Sequence, residues 1–389
     1  MIRTWSRFGL LATAILLLPG CWDRTEVNDL AFILSTAIDI EKDGSIRYSV
    51  MVPLPGSMGG ATGGGGGTAG DKSYYIDSEV GKTYREAQAK LQNRMPRRMF
   101  LAHRRTVLIG EQLAKAGVFK VFDATPRSPE SRMTTYFIVT KGKAYELLQA
   151  SPQFERFPSE AIRELAKSKV IIDMNMKDFA LALSSPGGDP VAIYMGVRES
   201  EKGTKPSKEV EVLGYSQFRG DKMVDTLEGR AAAGLALLKE RFVNVSITLH
   251  VENTDITVRI FEAHSDVQAR LAGNQLQFDI NLITKAKLLE STGTQDFTRA
   301  DQIHLMEARL AEQMKKSVED TLKQMIDNNC DSAQLGAYVW RAYPNLWTER
   351  FKNEWPNGLK TAKFNIKVKS ILSETGLIYD NVTKSEDAE

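Results

Sequence analysis

Apolar and polar positions change rhythm several times along this chain, and each change marks an element. Residues 30–40 are apolar enough for a buried strand. Ile46, Tyr48, Val50 and Val52 then alternate with Arg47, Ser49 and Met51. Asp43-Gly44 lies between the two runs, which predicts a hairpin. A short strand is expected over 74–77. A helix is expected over 82–93, with Tyr84, Ala87 and Leu91 on one face. Further on, 106–109 reads as a strand, 111–119 as a helix and 122–130 as a loop holding Pro126 and Pro129. A strand over 133–140 and helices over 143–150, 160–168 and 176–183 follow. The run Ser184-Ser185-Pro186-Gly187-Gly188-Asp189-Pro190 is a turn cluster, and 191–197 is a strand.

The second half has longer periods. Residues 210–218 and 223–226 flank Gly220-Asp221-Lys222 as another hairpin, and 228–239 predicts a helix with Leu235 and Leu238 inward. Strict alternation over 243–249, at Ile256, Val258 and Ile260, and from Leu276 to Thr284 predicts an antiparallel sheet with one buried face. Residues 299–328 make a helix of about 45 Å at 1.5 Å per residue. Its apolar stripe is Ile303, Met306, Leu310, Met314, Val318, Leu322 and Met325, a core face rather than a ligand box. A second helix is expected over 331–342. Phe364, Ile366 and Val368 alternate with lysines in a strand that closes the sheet. The expected fold class is α+β and multi-domain, with mixed and antiparallel sheets packed on helices. The C-terminal part is an antiparallel sheet with one long helix. The expected divisions are 1–20 as a cleaved signal peptide and 21–200 as an N-terminal α+β region with a glycine-rich loop at 53–70. Residues 201–209 are a linker or an exposed hairpin end, 210–378 a C-terminal α+β domain, and 379–389 a disordered acidic tail.

The start of the chain changes the picture most. Arg3 and Arg7 precede a nine-residue apolar run, Leu10 to Leu18, which is too short to span a bilayer but suits a secretory signal. The run ends in Leu18-Pro19-Gly20-Cys21, which resembles the lipobox of bacterial lipoproteins. That resemblance implies a diacylglyceryl group on Cys21, cleavage before it, and a mature protein anchored by two acyl chains, enough for stable attachment. Removing Arg3 and Arg7 from a chain of 51 bases and 49 acids leaves the two signs equal. An even balance argues against a nucleic-acid partner and gives no bulk attraction to an anionic membrane, so the anchor must supply attachment. With Cys21 lipidated, Cys330 has no disulfide partner within the chain and is expected to be a buried, inert thiol.

The search for chemistry returns little. His103, His250, His264 and His304 are scattered without metal-ligand spacing, and Gly214 to Phe218 is one glycine short of a nucleophile elbow. The glycine run at Gly63 to Gly67 has the wrong register for a phosphate loop, because Asp71 precedes Lys72-Ser73. No catalytic residue, metal site or cofactor is expected beyond the lipid on Cys21. The basic stretch around Arg97, Arg98, Arg104 and Arg105 is either a solvated surface or a contact for anionic headgroups or a partner.

Several collinear stretches together resemble the C subunit of the spore nutrient-germinant receptors, a lipoprotein family. They are Gly20 to Ala31 (GCWDRTEVNDLA), His103 to Gly117, Arg127 to Arg132, Phe218 to Met223 with Gly229 to Leu237, and Ala342 to Trp347 with Ser373 to Ile378. Ser128 stands where the family more often has Asp, and Asn329-Cys330-Asp331 where it usually has a lysine-containing helix junction. The resemblance implies three α+β domains and no enzymatic activity. It implies a place on the outer face of the spore inner membrane, assembly with membrane-embedded A and B subunits, and a part in nutrient-triggered germination. The nutrient is not specified. The rival reading is an extracytoplasmic solute-binding lipoprotein of a transporter, which would show two similar α/β lobes around a cleft.

Overall fold

A computed structural model describes residues 25–54, 73–168, 170–201, 206–241, 244–251, 254–293, 297 and 299–375. The signal segment, Cys21, most of the glycine-rich loop and the acidic tail lie outside them.

The N-terminal apolar run is two strands, not one. β1 (Leu30–Phe32) pairs in parallel with a short strand further on, whereas β2 (Ser35–Ile40) joins the main sheet. The switch happens at Ile33 and Leu34, whose amides bond to Phe100 O and Met51 O respectively. β2 and β3 (Ile46–Pro53) form the expected hairpin, and β4 (Tyr74–Gly81) extends it at the edge. Helix α1 (Tyr84–Gln92) buries Tyr84, Ala87 and Leu91, and the Thr83 hydroxyl caps it by accepting from Glu86 N. β5 (Arg98–Phe100) is the partner of β1.

β6 (Thr106–Gly110) is buried at every position, as a parallel strand covered on both faces must be. After it, α2 (Glu111–Ala116) ends earlier than the apolar spacing predicts, and α3 (Phe119–Ala124) occupies ground expected to be loop. The cause is tertiary. Gly117 takes φ +124°, and Asp221, in the turn of a distant hairpin, accepts from Val118 N at its carbonyl and from Phe119 N at its carboxylate. A remote side chain thus starts the second helix.

β7 (Tyr136–Thr140), α4 (Ala144–Leu148), α5 (Pro158–Ala166), α6 (Met176–Ser184) and β8 (Val191–Glu199) complete the parallel part. β9 (Lys208–Arg219) and β10 (Lys222–Glu228) finish an eight-stranded sheet of order β10-β9-β8-β7-β6-β2-β3-β4. β8 and β9 are antiparallel neighbours, and Ser200 N bonds to Ser207 O. Of the expected linker or hairpin end at 201–209, residues 202–205 lie outside the described residues. Alternate residues of each strand feed two cores, one under α1, α2, α3 and α6, the other under α4 and α5.

The second core continues into the C-terminal part. Helix α7 (Gly229–Leu238) leads from β10 to a four-stranded sheet of β11 (Val245–Val251), β12 (Thr254–Ala272), β13 (Gln275–Ser291) and β14 (Lys363–Glu374), in that order. Before β14 come α8 (Ala300–Asp327) and α9 (Leu335–Ala342). The stripe of α8 is buried from Met306 to Met325, with Ile303 half-buried at its start. α7 crosses α8 at close range. A methyl group on Gly234 would meet Ser317 O at 2.1 Å, and Thr321 Oγ1 donates to Ala231 O at 2.7 Å.

The fold class is α+β with mixed and antiparallel sheets. In one respect the C-terminal sheet departs from the alternation argument: β14 runs parallel to β13. Alternation fixes which face is buried, not direction. The intervening α8 returns the chain to the start of β13, which makes the pair a crossover rather than a hairpin. The eight-stranded and four-stranded sheets also differ in size and topology, so the two parts are not the matched lobes a solute-binding protein would present.

Candidate functional site

The polar centre of the molecule lies where the eight-stranded layer meets the C-terminal part. The turn cluster after α6 reaches the junction between α8 and α9. Gly187 adopts φ +66°, and its α-carbon stacks on Gly336 so closely that a methyl group would lie 2.6 Å from Gly336 C and 2.4 Å from the Trp347 ring. Two residues on, Asp189 is buried. Its carboxylate accepts from Gly220 N (2.9 Å), Asp331 N (2.9 Å) and the Arg219 guanidinium (3.5 Å). Its own amide donates to Asp331 O at 3.0 Å.

Asp331 is fully buried and takes three donors: Leu335 N at 2.9 Å, Gly336 N at 2.7 Å and the indole Nε1 of Trp355 at 3.0 Å. The first two are first-turn amides of α9, so Asp331 stabilises that helix start from four residues upstream. Burial pushes its carboxyl up to about 6, against the opposing pull of those donors. Beside it, Gln217 donates to Ser332 Oγ at 3.0 Å and accepts from Asn328 at 3.1 Å. The seam is therefore a continuous polar network under apolar cover.

A cleft opens on each side of α9. One encloses about 510 Å³ among Arg219, Lys352, Trp340, Trp347 and Trp355. Trp347 and Trp355 are mostly consumed by packing, their ring centroids 5.4 Å apart, whereas Trp340 is 40% exposed. The other encloses about 300 Å³ between α6, the end of α7 and α9, with Lys239, Arg241 and Arg341 on its walls. Among the described residues no group of three or more His, Cys, Asp or Glu side chains converges as metal ligands would.

The residues singled out in the sequence lie elsewhere. Arg97, Arg98 and Arg105 are exposed, and Arg98 pairs with Glu130 at 3.2 Å. Leu30, the first residue of β1, is in register with Arg98. This places the basic patch beside the N-terminal strand. Arg104 does not belong to the patch: it is 3% exposed, turned into the core by the bond from its amide to Leu101 O, with Thr36 Oγ1 as its guanidinium's partner at 3.5 Å. The histidines are far apart. His250 bonds Asp255, His264 lies 3.4 Å from Glu240, His304 lies 3.3 Å from Glu307, and His103 packs on the rings of Phe32 and Phe100. Cys330 is buried, and burial raises its thiol to about 12. The seam acids were not legible as a site. Pro186 to Pro190 reads only as a turn, and Asp331 reads as a helix junction.

Comparison with known proteins supplies the remaining finding. Residues 23–197 match the family described as the spore germination protein N-terminal domain, and residues 214–376 the family described as spore germination B3/GerAC like, C-terminal. The interval between the matches falls in the β8–β9 hairpin. Among curated proteins of Bacillus subtilis (strain 168), the chain is similar to the putative spore germination protein YfkR. The two are 32% identical, over 95% of this chain and 96% of that protein. Spore germination protein KC is 26% identical, over 97% of both, and spore germination protein B3 is 22% identical, over 97% and 96%. The crystal structure of the GerBC protein superposes with a TM-score of 0.57 at 13% identity, covering 87% of this chain and 96% of that one.

Proposed function

Because this chain belongs to the GerAC-like family of spore germination proteins, we propose that it works as the lipid-anchored C subunit of a germinant receptor. In this reading it is a non-enzymatic partner of two membrane-embedded subunits, A and B. The carrying observation is the pair of family matches, which together span nearly all of residues 23–376. The anchor is a diacylglycerol on Cys21, and the protein sits on the outer face of the spore inner membrane. Two features support that placement. No helix among the described residues is long and apolar enough to cross a membrane. The first strand begins at Leu30, so nine residues from Cys21 limit the reach to about 30 Å.

A tether this short keeps β1 and its partner β5 near the lipid surface. Arg97, Arg98 and Arg105 then face anionic headgroups or the partner subunits, each worth about 1 kcal/mol near an anionic surface. The protein acts as a positioned scaffold, with its distance from the membrane set by the tether.

The test replaces Cys21 with Ala and follows both membrane fractionation and the nutrient response of spores. Release from the membrane with loss of the response is expected. A variant that stays membrane-bound in spores that respond normally overturns the anchored-subunit reading. A flexible insert of about 20 residues after Cys21, long enough to add tens of ångströms of reach, should weaken the response while leaving fractionation unchanged.

A further inference from the structure

The 300 Å³ cleft between α6, the end of α7 and α9 has two walls of different character. One is apolar: Met174, Leu181, Ala182, Leu238 and the ring of Tyr338. The other is cationic: Lys239, Arg241 and Arg341, against Asp178 as the one acid in the lining. Arg241 is already engaged, donating to Asp173 O at 2.9 Å and lying 3.5 and 3.6 Å from the carboxylates of Asp173 and Asp178. Asp178 also caps α6 through Asn175.

Lys239 and Arg341 have no carboxylate so close, and Asp331 and Asp178 act on Lys239 only from further off. The ammonium of Lys239 meets a carbonyl, Ser332 O at 3.3 Å, and Arg341 lies over the Tyr338 ring at 6.0 Å. Neither has a carboxylate within 4 Å among the described residues. The other acids nearby are spoken for: Asp331 holds its three donors, Glu240 faces His264, and Asp266 accepts from Gln268. Two cations without a paired carboxylate thus stand on one wall of a concave space whose other wall is apolar. Burial lowers the Lys239 amine to about 8, against the opposing charge of Asp331. A volume near 300 Å³ is at the lower end of small-molecule sites.

We propose that this cleft binds a small carboxylate on a short apolar body, the carboxylate between Lys239 and Arg341 and the apolar part against Leu181, Leu238 and Tyr338. The site joins α6 of the eight-stranded part to α9 of the C-terminal part, so the ligand touches both. Protonated Lys239 is the form that binds. Affinity therefore holds below about pH 8 and falls as pH rises past it; the other charged groups around the cleft are Arg241, Arg341, Asp173, Asp178, Glu240, Asp266 and Asp331.

The experiment is calorimetric titration of the full chain with benzoate, with neutral benzyl alcohol and with inorganic phosphate. Expected is saturable one-to-one binding of benzoate, at least tenfold tighter than benzyl alcohol and than phosphate. Lys239→Met and Arg341→Gln should each weaken benzoate at least tenfold. Arg341 is exposed and outside the seam network, so its variant tests the site even if the Lys239 variant fails to fold. Benzoate affinity unchanged in Arg341→Gln, or benzyl alcohol binding as tightly as benzoate, overturns the proposal. Phosphate binding as tightly as benzoate overturns the assignment of an apolar body.

Discussion

Asp189 and Asp331 are bonded to each other twice: Asp189 N donates to Asp331 O at 3.0 Å, and Asp331 N donates to the Asp189 carboxylate at 2.9 Å. The first belongs to the turn after α6, the second to the junction between α8 and α9. The seam is thus fixed by backbone as well as side chains. Replacing Asp331 with Ala strands Leu335 N, Gly336 N and the Trp355 indole in a buried site. At about 1–3 kcal/mol for each orphaned donor, a loss of about 3 kcal/mol or more is expected in urea unfolding. Asp331→Asn keeps one acceptor and should lose less, about 1–2 kcal/mol.

The same carboxyl gives a pH signature. Its folded value, about 6, lies above the ordinary 3.8, so the folded state holds the proton more tightly. The resulting stability is fully present below about pH 4 and is lost as pH rises through 6. The wild type should therefore lose stability relative to Asp331→Asn between pH 4 and 6, with the other carboxylates cancelling in the difference. A pH-independent gap between the two proteins would contradict the assignment.

Gly187 and Gly336 form the tightest backbone contact at the seam. A methyl group on Gly336 would lie 2.4 Å from Gly187 O and 2.7 Å from Trp355. Gly336→Ala should cost about 1–3 kcal/mol by overpacking. Gly187→Ala should cost at least as much, because φ +66° adds strain there. Once one variant has forced the two backbones apart, the other methyl finds room, so the double variant should be less destabilised than the sum. Chemical denaturation of the three variants measures this.

Cys330 is fully buried between Asn329 and Asp331, and its thiol lies 3.6 Å from Ser332 Oγ. Because the thiolate is the reactive form and burial raises the thiol to about 12, the native protein should resist an aromatic disulfide reagent at pH 8. In denaturant it should react fully. Rapid native labelling would show that the α8–α9 junction opens.

The sequence carries the parts of this fold that depend on local period. The β2–β3 hairpin, α1, the stripe of α8 and the buried faces of β12 and β13 follow from spacing alone. What spacing misses is set by distant contacts. Asp221 starts α3 from the β9–β10 turn, and Ile33 and Leu34 split one apolar run between two sheets. The seam was invisible because its chemistry needs residues more than 140 positions apart, as with Asp189 and Asp331. Lys239 closes a helix whose pattern predicts only Leu235 and Leu238 inward, and nothing in that pattern tells that its amine meets no carboxylate.

Arg104 shows the same limit in the opposite sense, and it yields the last prediction. In the sequence it stands in a basic run beside Arg105, and only the fold separates the two. Its Nε and Nη2 have no hydrogen-bond partner among the described residues. Tyr48 is fully buried, and burial drives its phenol well above the ordinary value, with the Arg104 charge opposing. A buried guanidinium with one long bond loses hydration that the protein does not replace. Taking such an ion out of water costs on the order of several kcal/mol, and an apolar side chain of similar length removes that cost. Arg104→Met should therefore raise the thermal midpoint by several degrees and leave membrane binding unchanged. Arg98→Gln, on the exposed patch, should leave stability within about 0.5 kcal/mol and weaken binding to anionic vesicles. If Arg104→Met instead destabilises strongly, the guanidinium is held by bonds beyond Thr36, and its burial is a structural requirement rather than a cost.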